Sequence, residues 1–141
     1  MTDDLVLPAY DGGCITNVVP SLLHPEDAQP AWLPAIAHGA ERVVLLVIDG
    51  LGWNQLDARR SLAPTISGLE GGPITTVAPS TTATALTSIS TGLPPGEHGV
   101  MGYRIAVGTE VLNVLRWGVS GRDARNHILP ATIQDLSLIH I

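Results

Sequence analysis

The feature that most limits the fold of this chain is an uninterrupted apolar run that ends in a carboxylate. Residues 43–48 read VVLLVI, and Asp49 and Gly50 follow directly. An apolar, β-branched run of this length is typical of a strand that is buried on both faces, as in a parallel sheet. The run therefore predicts an α/β fold, in which helices cover both faces of a mainly parallel sheet.

The rest of the sequence alternates between strand and helix patterns, as this fold class requires. A second strand is predicted at 74–77, and a hairpin of two strands at 100–107 and 111–117 turns at Gly108. The principal helix is expected at 80–90, where small residues dominate. Shorter helices are expected at 15–23, 32–38, 53–59 and 64–69 and near Pro130.

Asp49 stands where ligands bind in open α/β sheets, at the carboxyl end of the predicted buried strand. Gly50 and Gly52 let the chain turn sharply there and leave the carboxylate accessible. An Asp in this place either closes a turn and caps the next helix, or binds a divalent cation. A dinucleotide site is excluded because the third glycine of that fingerprint does not open a helix here.

A second candidate site is the start of the helix predicted at 80–90. The first N–H groups of a helix have no partner within it and favour an anion such as a phosphate. A hydroxyl placed there could attack phosphorus if a base or a metal ion activated it. The simpler interpretation is structural, with Ser80 or Thr81 capping the helix through its side chain.

Together, the two segments resemble one family. Residues 43–52, VVLLVIDGLG, resemble the first metal-binding strand of the alkaline phosphatase superfamily. Residues 81–92, TTATALTSISTG, resemble its nucleophile helix, which typically ends in Thr-Gly. Residues 94–99 resemble the following loop of the type I phosphodiesterase/nucleotide pyrophosphatase branch, and the resemblance extends to about residue 103.

The resemblance implies the N-terminal portion of an alkaline-phosphatase-like three-layer sandwich with a mainly parallel mixed sheet. It selects Thr82 as the nucleophile, because the superfamily's nucleophile lies nine residues before the terminal threonine of the helix, here Thr91. Asp49 and Thr82 are implied ligands in a site for two divalent ions, with zinc as the expected metal. The other ligands are expected in a later part of the protein, and His98 is expected to hold its loop rather than a metal.

The implied activity is metal-dependent hydrolysis of a phosphoric ester or anhydride, with a small phosphate ester or a nucleotide as substrate. Thr82 would form a phospho-threonine-type intermediate that water then hydrolyses. Tyr103 replaces the asparagine that usually holds a phosphoryl oxygen in this branch, so Tyr103 or Arg104 is expected to donate instead. The alternatives are a phosphonate hydrolase or sulfatase-like hydrolase, although sulfatases carry Cys or Ser at the nucleophile position, and a metal-free pseudoenzyme or binding module.

Charge and cysteine content exclude several other classes of function. The formal net charge is −6, there is no lysine, and no basic run is present. Such a chain is a poor candidate for binding nucleic acid or anionic lipid, so neither a nucleic-acid partner nor a membrane is expected. One cysteine, Cys14, excludes an internal disulfide and a cysteine zinc cluster.

The sequence divides into three parts. Residues 1–40 form a Pro-rich lead-in, residues 41–135 the N-terminal part of the alkaline-phosphatase-like domain, and residues 136–141, LSLIHI, a tail. The tail resembles a translated sequencing adapter and is expected to be non-native; the alternative is a genuine apolar strand. Acidic residues replace the positive charge of a signal peptide at the N-terminus, which predicts a cytoplasmic protein. A chain cut off here is expected to be inactive by itself.

Overall fold

The computed structural model describes residues 5–24, 26–27 and 29–133. The α-helices are α1 (Val18–Leu23), α2 (Trp53–Asp57), α3 (Pro64–Ser67), α4 (Thr82–Thr91), α5 (Pro95–His98) and α6 (Pro130–Ile133). Single 3-10 turns lie at Ile15–Asn17, Ala35–Ala37 and Arg60–Leu62. The strands are β1 (Arg104–Val107), β2 (Glu110–Asn113), β3 (Gly118–Val119) and β4 (Arg122–Asp123). The predicted tail lies outside the described residues.

The four strands form one antiparallel sheet in the order β1-β2-β3-β4. The predicted hairpin is confirmed between β1 and β2, with shorter strands, and Gly108 opens its two-residue loop with φ of 61°. Ile105, Leu112 and Val119 are aligned across one face of the sheet. Leu112 is fully buried there with Ala124 and Ile128, so this face holds the core of the region.

Residues 43–48 have no regular secondary structure, and they belong to no strand ladder in the described residues. Val44 is 94% exposed and Leu46 77% exposed, so the prediction of burial on both faces is wrong. A strand of a parallel sheet is buried by neighbouring strands and by helices on both faces, and no described segment pairs with this one. The mainly parallel sheet is not seen, and the only parallel pairing among the described residues is the Cys14–Thr75 bridge.

The other face of the 43–48 segment is partly covered. Val43 and Leu45, each 45% exposed, line an apolar cavity of about 440 Å³ with Trp32, Trp53 and Leu56. The alternation of exposure along the segment is that of an extended chain, in which successive side chains point in opposite directions. The helices α2 and α3 therefore lie on one side of the segment, and its opposite side is open.

Helix α4 is the longest described element, and it was predicted almost in full. Its buried face consists of small residues, Ala83, Thr84, Ser88 and Thr91, which allow close packing against the 3-10 turn Ile15–Asn17 and against α1. The helix ends at Gly92, which has φ of 71°. A Cβ at this position would lie 2.7 Å from Cγ of Pro20, so the contact with α1 requires glycine.

The N-terminal segment is tied to the chain that precedes α4. The Ile15 N–H donates to the Thr75 carbonyl at 3.0 Å, and the Thr75 N–H donates to the Gly13 carbonyl at 2.7 Å. Cys14, which lies between Gly13 and Ile15, is fully buried. Three residues further along, the Ala78 N–H donates to the Tyr10 hydroxyl at 3.4 Å. These bonds fix the approach of the chain to the first turn of α4.

Candidate active site

Asp49 and Thr82 lie 33 residues apart in the sequence and are in direct contact. The Thr82 hydroxyl donates to Oδ2 of Asp49 across 3.0 Å. Asp49 follows the extended segment 43–48 at a turn in which Gly50 has φ of 79°. Thr82 is the first residue of α4. The two residues that the sequence singles out for chemistry are therefore brought together at the start of the principal helix.

The N-cap of α4 differs from the expectation. Thr81 is the N-cap residue, with extended backbone angles, but neither it nor Ser80 caps an N–H group of the helix through its side chain. The Thr81 hydroxyl instead lies 3.1 Å from the hydroxyl of Thr84. Because no side chain in the described part of the chain accepts from the first N–H groups of α4, they are available to an anionic ligand.

An open groove of about 940 Å³ adjoins the site. Ser80 and Thr81, directly before Thr82, form one rim, and residues 52–55 form another. Asn54 and Gln55 bring two side-chain amides to this groove, which the sequence reasoning did not single out. Their position directly after the turn at Asp49 is the sequence feature that could have identified them. Gly52 is needed beside them, because a Cβ there would lie 2.6 Å from Oε1 of Gln55.

His98 is fully buried and uses both ring nitrogens. Its Nδ1 accepts from the Val100 N–H at 3.0 Å, which leaves Nε2 protonated to donate to the Ser88 hydroxyl at 2.8 Å. Burial lowers the pKa of His98 because the charged ring would lose its hydration. The neutral ring thus fastens α5 and the loop after it to α4, as expected for a structural histidine.

Tyr103 and Arg104 lie at the start of β1, and no hydrogen bond joins either of them to Asp49 or Thr82 in the part of the chain that the structure describes. The Tyr103 hydroxyl accepts from the Asn113 side-chain amide. The Arg104 guanidinium carbon lies 5.9 Å from the centre of the Tyr103 ring. The structure therefore places Tyr103 and Arg104 on the antiparallel sheet, where their hydrogen-bond and ring contacts do not include Asp49 or Thr82.

The described residues supply only part of a metal site. The Asp49 carboxylate and the Thr82 hydroxyl offer oxygen ligands from one side, which suits a divalent cation. Nowhere in residues 5–24, 26–27 and 29–133 do three or more His, Cys, Asp or Glu side chains come together as a metal-binding group. The pair therefore fits one edge of a metal site and does not complete it.

The comparisons with known proteins concern the part of the chain that contains this pair. Residues 43–123 match the model of the family described as type I phosphodiesterase / nucleotide pyrophosphatase, and the match includes both Asp49 and Thr82. No curated protein and no solved structure matches the chain. No described helix has the length and apolar character needed to cross a bilayer. Because the family model covers more than half of the sequence, the chain belongs to the type I phosphodiesterase/nucleotide pyrophosphatase family.

Proposed function

We propose that the complete protein hydrolyses a phosphoric ester or anhydride, with Thr82 as the nucleophile. Family membership indicates hydrolysis of phosphoric esters. The observation that carries the assignment to Thr82 is its hydrogen bond to Asp49, across 3.0 Å and 33 positions of sequence. This contact turns one of three adjacent hydroxyls toward a carboxylate at the first turn of a helix, where phosphoryl oxygens are bound well.

In the first step, the Thr82 oxygen attacks phosphorus in line with the leaving group. The bond from Oγ1 to phosphorus forms while the bond from phosphorus to the leaving oxygen breaks, and the leaving group departs with the electron pair. The hydroxyl proton passes to solvent water, because the Asp49 carboxylate, which accepts the hydrogen bond of this hydroxyl, would serve as a ligand for the divalent ion. In the second step, a water oxygen attacks the phosphorus, the bond from phosphorus to Oγ1 breaks with its electron pair on Oγ1, and the proton that the water loses restores the Thr82 hydroxyl.

The first N–H groups of α4 stabilise the phosphoryl oxygens as negative charge shifts onto them. They have no side-chain acceptor among the residues that the structure describes, and the helix dipole favours an anion at this end. Preorganised donors of this kind lower the barrier because they do not have to reorient during the reaction. Asn54 and Gln55 offer further donors for the remainder of the substrate in the adjoining groove.

Asp49 and Thr82 would hold a divalent ion, with zinc as the expected metal, in a site completed by ligands outside the described residues. Such an ion, when bound, withdraws electron density from the hydroxyl and makes its oxygen more nucleophilic. Tyr103 and Arg104 are proposed to bind a substrate oxygen, and a cytoplasmic location remains part of this proposal. The division at residue 40 and the non-native character of residues 136–141 also remain proposals.

The test is to trap the covalent intermediate in the complete protein with a slow substrate and to map the modified residue. We expect the phosphoryl group on Thr82, its loss in Thr82→Ala, and a rate lower by about 10³-fold or more. Thr81→Ala is the matched control, because its hydroxyl faces Thr84 rather than Asp49. Modification of Thr81 or Ser80, or normal turnover by Thr82→Ala, would contradict the proposal.

A further inference from the structure

The segment 78–80, shortly before the nucleophile helix, is exposed and has few contacts that hold it. Val77 before it is buried, and Thr82 after it begins α4. In the described part of the chain, one hydrogen bond joins the segment to the rest of the protein: the Ala78 N–H donates to the Tyr10 hydroxyl at 3.4 Å. We propose that Tyr10 is a positioning residue, which holds this segment and thereby orients the Thr82 hydroxyl for attack, an inference that rests on the proposed role of Thr82.

Tyr10 lies in a turn whose backbone is itself fixed. The Gly12 N–H donates to the Ala9 carbonyl at 2.8 Å and closes the turn. The Ala9 N–H donates to Oγ1 of Thr75 at 2.9 Å. Thr75 belongs to the same stretch of chain, three positions before the segment 78–80. The turn is therefore bonded to the chain at one point, and the Tyr10 side chain reaches the same chain at a second point further along.

A single side-chain amide holds the inside of this turn. Nδ2 of Asn17 donates to the carbonyls of Tyr10 and Gly12, both at 2.8 Å, which uses both of its hydrogens. Oδ1 of Asn17 accepts from the Thr16 hydroxyl at 3.3 Å, and Thr16 is buried. The 3-10 turn Ile15–Asn17 packs against α4. Asn17 therefore links the backbone of Tyr10 to the helix that carries the proposed nucleophile.

The physical reason for a positioning role is the strict geometry of in-line attack. An oxygen must lie about 3–3.5 Å from phosphorus and in line with the leaving group, and a misplacement of about 1 Å can cost about 10²-fold in rate. Without the Tyr10 hydroxyl, the Ala78 N–H would bond to water, and the segment would lose its attachment to the rest of the protein. Fewer molecules would then hold Thr82 in the reactive geometry.

Tyr10 acts through the chain and does not touch the substrate in this proposal. It is not among the described residues that line the groove beside Thr82, although Ala78 is. Loss of its hydroxyl should therefore slow the chemical step and leave the binding of the substrate nearly unchanged. This split between kcat and KM separates a positioning residue from a residue of the binding site.

The test is the steady-state kinetics of Tyr10→Phe in the complete protein, with p-nitrophenyl phosphate and bis(p-nitrophenyl) phosphate as probes. The substitution removes the hydroxyl and keeps the ring. We expect kcat to fall about tenfold, with KM within about twofold of the unmodified value. A kcat that does not change, or a rise in KM that accounts for the whole loss of kcat/KM, would overturn the proposal.

The matched control for lost stability is Ser90→Ala. The Ser90 hydroxyl is exposed and donates to the Thr87 carbonyl at 3.0 Å, at the opposite end of α4. This variant also removes one hydroxyl and one hydrogen bond, and its kcat should stay within about twofold of the unmodified value. The melting temperatures of both variants are measured alongside. An equal loss of kcat in Ser90→Ala would assign the effect of Tyr10→Phe to general stability and contradict a positioning role.

A double-mutant cycle with Asn17 tests the path from the turn to the nucleophile. Asn17→Ala removes both bonds of the amide and should also lower kcat. The double variant Tyr10→Phe/Asn17→Ala should be no slower than the slower single variant, because both substitutions break the same path. Losses that multiply in the double variant would show that the two residues act separately. If Asn17→Ala does not fold, the kinetics of Tyr10→Phe still decide the proposal.

Hydrogen exchange, measured by mass spectrometry in the complete protein, reports on the segment without reference to chemistry. Peptides that cover residues 77–82 should exchange faster in Tyr10→Phe and at the unmodified rate in Ser90→Ala. Unchanged exchange in Tyr10→Phe would show that its hydroxyl does not hold the segment. Normal turnover by Thr82→Ala would overturn the proposed nucleophile together with this inference, whereas normal kcat in Tyr10→Phe beside an inactive Thr82→Ala would overturn this inference alone.

Discussion

Of the three adjacent hydroxyls at 80–82, only the last is bonded to the Asp49 carboxylate. Ser80 and Thr81 lie on the rim of the groove, and the Thr81 hydroxyl faces Thr84. The difference follows from helix geometry, because successive side chains at a helix start point in directions about 100° apart. A change of one position in the chain therefore separates a hydroxyl that is bonded to the Asp49 carboxylate from one that is bonded to Thr84 within the helix.

We expect the buried His98 ring to make the free energy of unfolding depend on pH. Its pKa is lowered in the folded chain from 6.5, chiefly by burial, so unfolding is accompanied by proton uptake once the pH falls below that value. The stabilisation by the neutral ring is full above about pH 6.5 and is lost as the pH falls toward the folded pKa, by at most about 1.4 kcal/mol per pH unit. Urea unfolding between about pH 8 and pH 5 measures this slope.

The slope should be reduced in His98→Asn, which cannot titrate, even though this variant is less stable at every pH. His38→Gln is the control, because His38 is exposed and its replacement should leave the slope unchanged. An identical slope in His98→Asn and in the unmodified chain would show that the buried ring does not control the acid sensitivity. The comparison uses differences between variants, so the other histidines cancel.

At the level of elements, α4 depends on one glycine. Gly92→Ala should lower the free energy of unfolding by about 1–3 kcal/mol, because alanine disfavours φ of 71° and its Cβ would meet Pro20 at 2.7 Å. Thermal or urea unfolding measures the loss. Gly92→Asn separates the two causes, since asparagine tolerates the left-handed backbone but still meets Pro20.

The matched control for this substitution lies in α5. A Cβ added at Gly96 would meet no atom within 4 Å, and the φ of Gly96 lies outside the left-handed region. Gly96→Ala should therefore be neutral or slightly stabilising, since alanine favours the helix. Equal effects at positions 92 and 96 would show that neither the backbone angle nor the contact with α1 matters.

The elements that sequence predicted best are those with local signals. Helix α4 is rich in small residues and ends in Thr-Gly, and the β1–β2 hairpin turns at Gly108, so both were located from a few neighbouring residues. The segment 43–48 was predicted as a buried strand, but burial depends on partners elsewhere in the chain. Its apolar composition indicated a strand but contains no information on the neighbours that would bury it.

The candidate site, too, was only partly predictable from local signals. The contact between Asp49 and Thr82 is long-range, and neither motif alone favoured chemistry over a turn or a helix cap. The order and spacing of the two motifs in the family resemblance linked them.

For the whole molecule, the open side of the 43–48 segment predicts association. Val44 and Leu46 project from it with exposed fractions of 94% and 77%, and unpaired apolar strands promote aggregation. The 141-residue chain should show concentration-dependent light scattering, and Val44→Lys/Leu46→Lys should suppress it while the melting temperature changes little. Placing charge on an exposed edge is how natural sheets limit such contacts.

A control for this prediction is Ile36→Lys, which also replaces an exposed apolar side chain, 81% accessible, at a position outside the segment. Its effect on scattering should be much smaller, because a single exposed apolar residue does not form an edge. A chain that stays monodisperse at every concentration tested would contradict the prediction. Equal suppression by Ile36→Lys would attribute the scattering to general surface hydrophobicity.

The bridge between Cys14 and Thr75 couples the opening of the N-terminal segment to the opening of the chain that precedes α4. The Ile15 N–H donates to the Thr75 carbonyl and the Thr75 N–H donates to the Gly13 carbonyl, so opening of the N-terminal segment frees both N–H groups at once. In deuterated water their exchange rates should therefore rise together under mild denaturant, at one common opening free energy. The chain that leads to the first turn of α4 would then stay in place only as long as the N-terminal segment, more than sixty positions earlier, stays bonded to it.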